Sequence, residues 1–366
     1  MRKIKILMIG PFPEPITGES FINEKIFRDF SKYFSVKLDL INTSTHDFGH
    51  GVGRFSMKKF IYNLIKYPLA YKILFSDVIY LTPGQTFLGT LRFLPYILIS
   101  RILQKKVVVH VQANKLSSEY MKLPYLIKLI FSYVYNLADV GIVLSPSLRN
   151  NLEVMNFKGK IVCLNNFIGN YLTNLDLRKK SKHGLKIVYL GNLLKEKGIL
   201  DLLQALRILN EKGYEFKAVI AGNVDNRIRG QFFSFIDNLK SNVKYVGVVK
   251  GKTKKELLLN SNVFVLPSFL EHEAQPVSIL EAMASGNIII TTNQGGIPDV
   301  IKDGRNGFFV KKQNPEDLAS KLIFVGDNLS KFRKMINSNY KGVNKNYSEE
   351  KFFRDFYDII KALCLM

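Results

Sequence analysis

In the stretch EHEAQPVSILEAMASG, residues 271–286, Glu271, His272 and Glu273 stand together, and Glu281 follows Glu273 on the spacing E-x7-E. Carboxylates grouped in this way accept hydrogen bonds from ligand hydroxyls or balance a cation. VFVLPS (263–268), just upstream, reads as a buried strand. FLEHEAQ therefore falls in the loop at the strand's carboxyl end, where α/β sheets hold their ligands. Pro276 then lies in the first turn of a helix, where a missing N–H is tolerated. Val277, Leu280, Met283 and Ala284 form that helix's apolar stripe, and Glu281 lies next to it. An acid there costs free energy unless it is hydrogen-bonded. Ligand hydroxyls would satisfy it, and so would a neighbouring backbone N–H.

Three other segments carry residues suited to anion chemistry. In YLGNLLKEKGILDLLQAL (189–206), a strand ends at Gly191, a short loop carries Lys195 and Lys197, and Gly198 leads into a helix. Lysine beside a helix N-terminus clamps phosphate, although a solvated loop lysine has the same spacing. In GPFPEPITGES (10–20), Gly10 and Gly18 permit close backbone approach at a strand-to-helix turn. That outlines an anion site or a proline-stiffened turn, and it is not the G-x-G-x-x-G fingerprint. In TTNQGGIPDVIKDGRNGFFV (291–310), Gly295 and Gly296 make a tight loop that could floor a diphosphate or be only a turn.

These loops need a scaffold, and the sequence supplies one. Short β-rich runs recur at 3–10, 36–41, 77–81, 106–111, 140–145 and 160–164, with amphipathic helical stretches between most of them; the first helix spans 18–33. NLDLRKKSKHG (174–184) is polar, basic and non-periodic, and reads as a linker. The pattern then restarts at 186–191, 216–222, 243–248, 262–268 and 287–292, and a last helix covers 348–365. Strand–helix alternation predicts parallel sheets covered on both faces. The expectation is two doubly wound α/β domains, 1–173 and 185–347, with the ligand in the cleft between them.

Bulk properties agree. The 366 residues, 47% hydrophobic and 23% charged, suit two globular domains. The formal net charge of +23 favours an anionic partner, unless lysine merely decorates the surface. Cys163 and Cys364 have no pairing or metal-ligand spacing, as in a reducing cytosol. MRKIKILMIGPF reads as a first strand and not a signal peptide, and no apolar run reaches membrane-spanning length. No nucleic-acid-binding signature accompanies the dispersed basic residues.

Taken together, the motifs resemble those of the retaining glycosyltransferases of family 4, which have the GT-B architecture. The resemblance covers essentially the whole chain and is strongest over 187–310. Glu273 to Glu281, followed by Ala-Met-Ala-Ser-Gly286, resembles the family's E-x7-E element. Gly295 to Asp299 resembles its G-G-I-P-E turn, and Asp303 to Gly307 its D-G-x-N-G. Gly191, Asn192, Lys197 and Gly198 resemble its G-R-x4-K-G, with Asn192 in place of the usual arginine. The resemblance implies that Glu273 faces the sugar of a nucleotide-sugar donor, Glu281 the ribose hydroxyls and Lys197 the diphosphate. Ala274, Gln275, Pro276 and Val277 then line the sugar pocket, with Gly10, Gly18 and Asn192 also on the donor side. His110, in VVVHVQ, resembles the histidine that faces the reacting sugar; Gln112 shares that position, and Glu19 and Gln112 lie toward the acceptor. A hydrogen-bonded core histidine at a strand end remains the alternative for His110. The resemblance also implies a metal-free reaction without a cofactor, and a C-terminal helix (348–366) that crosses back to the N-terminal domain.

The mixture of apolar, aromatic and basic residues at 58–75 and 91–106 resembles interfacial helices or ordinary packing helices with solvated lysines. The expected partners are therefore a nucleoside-diphosphate sugar, a glycan acceptor carried on lipid and the anionic cytoplasmic face of a membrane, with no nucleic acid. A sugar-nucleotide epimerase of the same architecture and an inactive donor-binding subunit are the alternative readings.

Overall fold

The computed structural model of the chain describes residues 3–14, 17–44, 62, 65–177, 180 and 184–365. The chain divides into two compact units, Met1–Asn166 with Phe352–Met366, and Phe167–Lys351.

The first unit holds a parallel sheet of β1 (Ile4–Gly10), β2 (Val36–Asn42), β3 (Val78–Leu81), β4 (Lys106–Val111), β5 (Val140–Val143) and β6 (Lys160–Cys163), in the order β2-β1-β3-β4-β5-β6. β3 and β5 are buried along their whole length, as their uninterrupted apolar sequences require when both faces are covered. Helix α1 (Gly18–Tyr33) starts at Thr17, whose hydroxyl accepts from the Ser20 N–H while the Ser20 hydroxyl accepts from the Thr17 N–H. Ile22, Ile26 and Phe30 form its buried face. Phe30 packs against Phe353 and Phe356 of the last helix, with ring centroids 5.7 and 5.0 Å away. Truncating a fully buried phenylalanine of this kind costs about 3–5 kcal/mol. A further helix of this unit, α2 (Tyr125–Asn136), buries Phe131, Val134 and Tyr135.

The second unit holds β7 (Leu185–Leu190), β8 (Phe216–Ala221), β9 (Val243–Tyr245), β10 (Val263–Leu266), β11 (Ile288–Thr291) and β12 (Phe308–Phe309), all parallel, in the order β12-β11-β10-β7-β8-β9. Its helices include α3 (Ile199–Glu211), α4 (Gly251–Leu259) and α5 (Val277–Ala284); the last helix, α6, is Glu349–Leu365. Ile168, Leu172 and Leu175 belong to this unit's core. Lys180, in the stretch read as a linker, is buried and donates to the carbonyls of Leu258 and Ser285, at the C-terminal ends of α4 and α5. Burial pushes its ammonium down to about 7. The two-residue strand β12 is too short to leave a periodic signal in the sequence.

Strand order decides where ligands can sit. In the second unit the order reverses between β7 and β10, and in the first between β1 and β3. Chains leaving the carboxyl ends of such a pair diverge and open a crevice.

Candidate functional site

The crevice of the second unit is made by the loops after β7 and β10. Gly198 closes the turn after β7 with φ +73, and a Cβ there would lie 2.2 Å from the Pro267 carbonyl oxygen. Only glycine lets this turn lie so close to the end of β10. The Phe269 N–H then bonds the Glu196 carbonyl at 2.9 Å, and Lys197 Nζ comes 3.2 Å from Glu273 Oε1. Glu273 Oε2 accepts from the Ser268 hydroxyl at 2.7 Å. The loop after β11 fixes this arrangement: the Thr292 hydroxyl donates to the Ser268 carbonyl and Gln294 Nε2 to the Leu270 carbonyl. The carboxylate is buried and held from two sides, beside an ammonium whose three donors exceed what Glu273 takes.

Glu281 is 3% exposed, and within the chain it is held by side chains and not by the backbone N–H that the sequence left open. Lys254 of α4 donates to both of its oxygens, at 2.7 and 2.9 Å, and the Tyr171 hydroxyl donates to Oε1 at 3.0 Å. Burial and the Glu281 charge keep Tyr171 protonated. Two other expectations are corrected. Pro276, at ψ 116, is the N-cap of α5 and precedes its first turn. The helix has no single apolar stripe: every residue from Ile279 to Ala284 is buried, because both sides of α5 pack into the core. Val277 is only half-buried, whereas Ala274 and Gln275 are buried.

The crevice of the first unit is uncharged by comparison. Tyr80 on β3 pairs in register with Val108 on β4, so His110, two residues on, shares its face. The Tyr80 hydroxyl lies 2.6 Å from His110 Nδ1. Burial pushes the imidazole down to about 3. Asn23 of α1 bonds the Thr82 hydroxyl and the Pro11 carbonyl, each at 2.9 Å, and Gln112 Nε2 donates to Asn23 Oδ1 at 3.3 Å. Glu19 bonds the Thr82 hydroxyl; burial pushes its carboxyl up to about 7, against the pull of the Arg92 charge. The two glycines of this loop differ. A Cβ at Gly10 would lie 1.9 Å from Thr82 Oγ1, so the residue just past β3 takes the space beside it. A Cβ at Gly18 would meet nothing within 4 Å.

Residues 176–342 match the family described as glycosyl transferases group 1. That match spans a little under half of the chain. It is similar to an uncharacterized glycosyltransferase of Methanocaldococcus jannaschii, 29% identical over 48% of this chain and 44% of that protein. It is also similar to the capsular polysaccharide biosynthesis glycosyltransferase CapM of Staphylococcus aureus, 34% identical over 37% of this chain and 35% of the relative. The chain spans about half the length of the first curated relatives, 44%, 48% and 59%. Across 98% of its length it superposes on HepE of Anabaena in complex with UDP, covering 100% of that chain with a TM-score of 0.75 at 14% identity. The two Rossmann-like units are thus those of the GT-B fold.

At position 192, where the resemblance leads one to expect arginine, the chain carries no charge. Asn192 is exposed, and its carbonyl accepts from the Tyr189 hydroxyl at 3.2 Å. Lys195 is exposed and its charge acts on Asp201. Arg227 is taken up by Asp225 and by both Glu196 oxygens. Glu271 is exposed in its loop. Sequence reasoning missed Ser268 and Thr292, although a polar residue just past an apolar strand marks both. It also missed Lys254, which nothing distinguishes among the lysines of KGKTKKELLL, and Tyr171, Tyr80, Asn23 and Thr82.

Proposed function

We propose that the chain is a retaining, metal-independent hexosyltransferase. It moves a sugar from a nucleoside-diphosphate donor to a glycan acceptor carried on lipid, in the making of a cell-surface polysaccharide. The observation that carries this reading is the Lys197–Glu273 pair at the reversal between β7 and β10. Lys197 offsets charge developing on the departing diphosphate. Glu273, with both oxygens engaged, orients the donor sugar and is not a covalent nucleophile; the departing phosphate oxygen takes the acceptor proton on the same face. Glu281 receives the ribose hydroxyls beside Lys254 and Tyr171, and His110 faces the transferred sugar. UDP bound to HepE and the polysaccharide role in the name of CapM favour this substrate class.

The proposed acceptor places the chain at the inner face of the cytoplasmic membrane. Of the two segments expected there, residues 58–61 and 63–64 lie outside the described residues; Tyr71, Leu74, Phe75, Leu98 and Ile102 are exposed. The more continuous apolar face is on α2, where Tyr125 and Leu126 are each 73% exposed and Leu129, Ile130 and Tyr133 follow on the same side. That helix carries Lys128 and no acid, which suits an anionic bilayer. Among the described residues no helix is long and apolar enough to cross a membrane.

A panel of nucleotide sugars, scored by binding and slow hydrolysis and then by transfer to lipid extracts, tests the reading. Binding of none of them sinks it. Flotation with anionic vesicles at low salt tests the membrane claim: wild type rises with the lipid, Leu126→Glu with Leu129→Glu stays behind, and a wild type that stays behind refutes it.

A further inference from the structure

We propose that Tyr80 is a positioning residue that locks His110 as the Nε2–H tautomer, so that the imidazole presents a neutral hydrogen-bond donor and does not act as a base. Only the catalytic consequence rests on reading His110 as the sugar-facing histidine; the proton assignment stands on the hydrogen bonds of the first unit.

The assignment can be followed from a fixed end. The Pro11 carbonyl oxygen only accepts, so the Asn23 terminus 2.9 Å from it is the amide nitrogen. Asn23 Oδ1 therefore faces Gln112 and accepts from its Nε2. Gln112 also interacts with the Tyr80 side chain. Burial keeps the phenol protonated, and its 2.6 Å approach to His110 Nδ1 fits an O–H donor and is shorter than an N–H donor usually makes, so the Tyr80 proton points to that nitrogen. A ring nitrogen that accepts carries no proton, so the neutral imidazole holds its proton on Nε2.

Two observations turn this local order into a ligand position. His110 is 1% exposed, and its Nε2 has no hydrogen-bond partner among the described residues. An unmet buried donor costs about 1–3 kcal/mol. A core histidine kept only for packing would be satisfied at both nitrogens; this one is satisfied at Nδ1 alone. The missing partner is an acceptor oxygen, such as a sugar hydroxyl lying at the carboxyl end of β4. Protonation of the ring is no alternative, because burial disfavours the imidazolium and the Tyr80 hydrogen bond would have to reverse.

The test is 15N NMR of the substrate-free protein, which reads the tautomer from the two ring nitrogens. His110→Gln identifies the signal among the five histidines. Wild type should show Nδ1 unprotonated and Nε2 protonated, unchanged from about pH 5 to 8. Tyr80→Phe removes one oxygen from a side chain of nearly the same shape; the ring should become a mixture of tautomers, and kcat should fall about 10- to 100-fold with little change in KM. Gln112→Leu leaves Tyr80 in place and should produce a smaller shift in the same direction, which serves if Tyr80→Phe does not fold. A wild-type Nδ1–H ring, a ring that titrates near neutrality, or a tautomer unaffected by both substitutions overturns the proposal. The expected tautomer together with full transfer by His110→Ala supports the proton assignment and overturns the reading of His110 as sugar-facing.

Discussion

At the reversal between β7 and β10 the chain sets an ammonium against a buried carboxylate, whereas between β1 and β3, with β4 beside them, it sets hydroxyls, amides and an uncharged imidazole. The two edges share a topology and differ in how they meet the cost of burying polar groups. The second unit pairs full charges, Lys197 with Glu273 and Lys254 with Glu281. The first unit keeps fewer: His110 is held neutral, and burial pushes the Glu19 carboxyl up to about 7 against the nearby Arg92 charge. A diphosphate gaining charge needs a fixed cation. A sugar hydroxyl needs a directed neutral donor, which a charge in the same place would not improve.

That division can be broken from either side. The largest effect is expected at Lys197. Lys197→Ala should lower the transfer rate about 100- to 1,000-fold, measured as kcat/KM for the donor, because Lys197 is the cation held against Glu273 and Arg227 is taken up by Asp225 and Glu196. Unchanged transfer would remove the charged role from this edge, and unchanged transfer by Glu273→Ala would do the same for the sugar contact. Next comes Glu281→Leu, which leaves Lys254 without its partner. Urea unfolding should show a loss of about 2–3 kcal/mol, less than for a fully buried pair because Lys254 is partly exposed. No loss would mean that the pair adds nothing to the unit.

The smallest effect belongs to the first unit and depends on pH. Glu19 has its folded value near 7, above the 4.5 expected of a free glutamate. Between those values the folded chain keeps a proton that the unfolded chain has lost. Stability from this group is therefore fully present below about 4.5 and is lost as the pH rises through about 7, by about 1–2 kcal/mol for a partly exposed acid. Glu19→Gln cannot ionise and should flatten that loss. His110 works in the opposite direction below its ordinary 6.5, so variant and wild type are to be compared at each pH. A parallel pair of stability curves would show that the first edge carries no suppressed charge.

Much of this was legible in the sequence because it is local. Apolar runs flanked by glycine, proline and asparagine placed the starts of β1 to β11 within a residue, although β5, β9 and β10 end two or three residues sooner than expected, and the loops carrying Lys197 and Glu273 followed from strand ends. Gly198 left a trace because one backbone conformation demands it. The partners of Glu281 left none: Tyr171 lies 110 residues away and Lys254 lies 27 away, and which lysine of α4 faces α5 is set by packing between helices. The contact between Tyr80 and His110 depends on the register of β3 against β4, which no property of either strand fixes alone. What Gly10 makes room for was illegible for a related reason. A glycine marks space near the backbone, but only the neighbouring strand shows that Thr82 fills it.

The last helix has a consequence for biosynthesis. Phe353 and Phe356 complete the core around Phe30, although more than three hundred residues are translated between them. The second unit is therefore synthesised in full while the first, begun earlier, still lacks its final layer. A nascent chain halted just before Phe352 would leave Phe30, Phe34 and Tyr80 without the rings that cover them, an apolar surface that chaperones and proteases recognise.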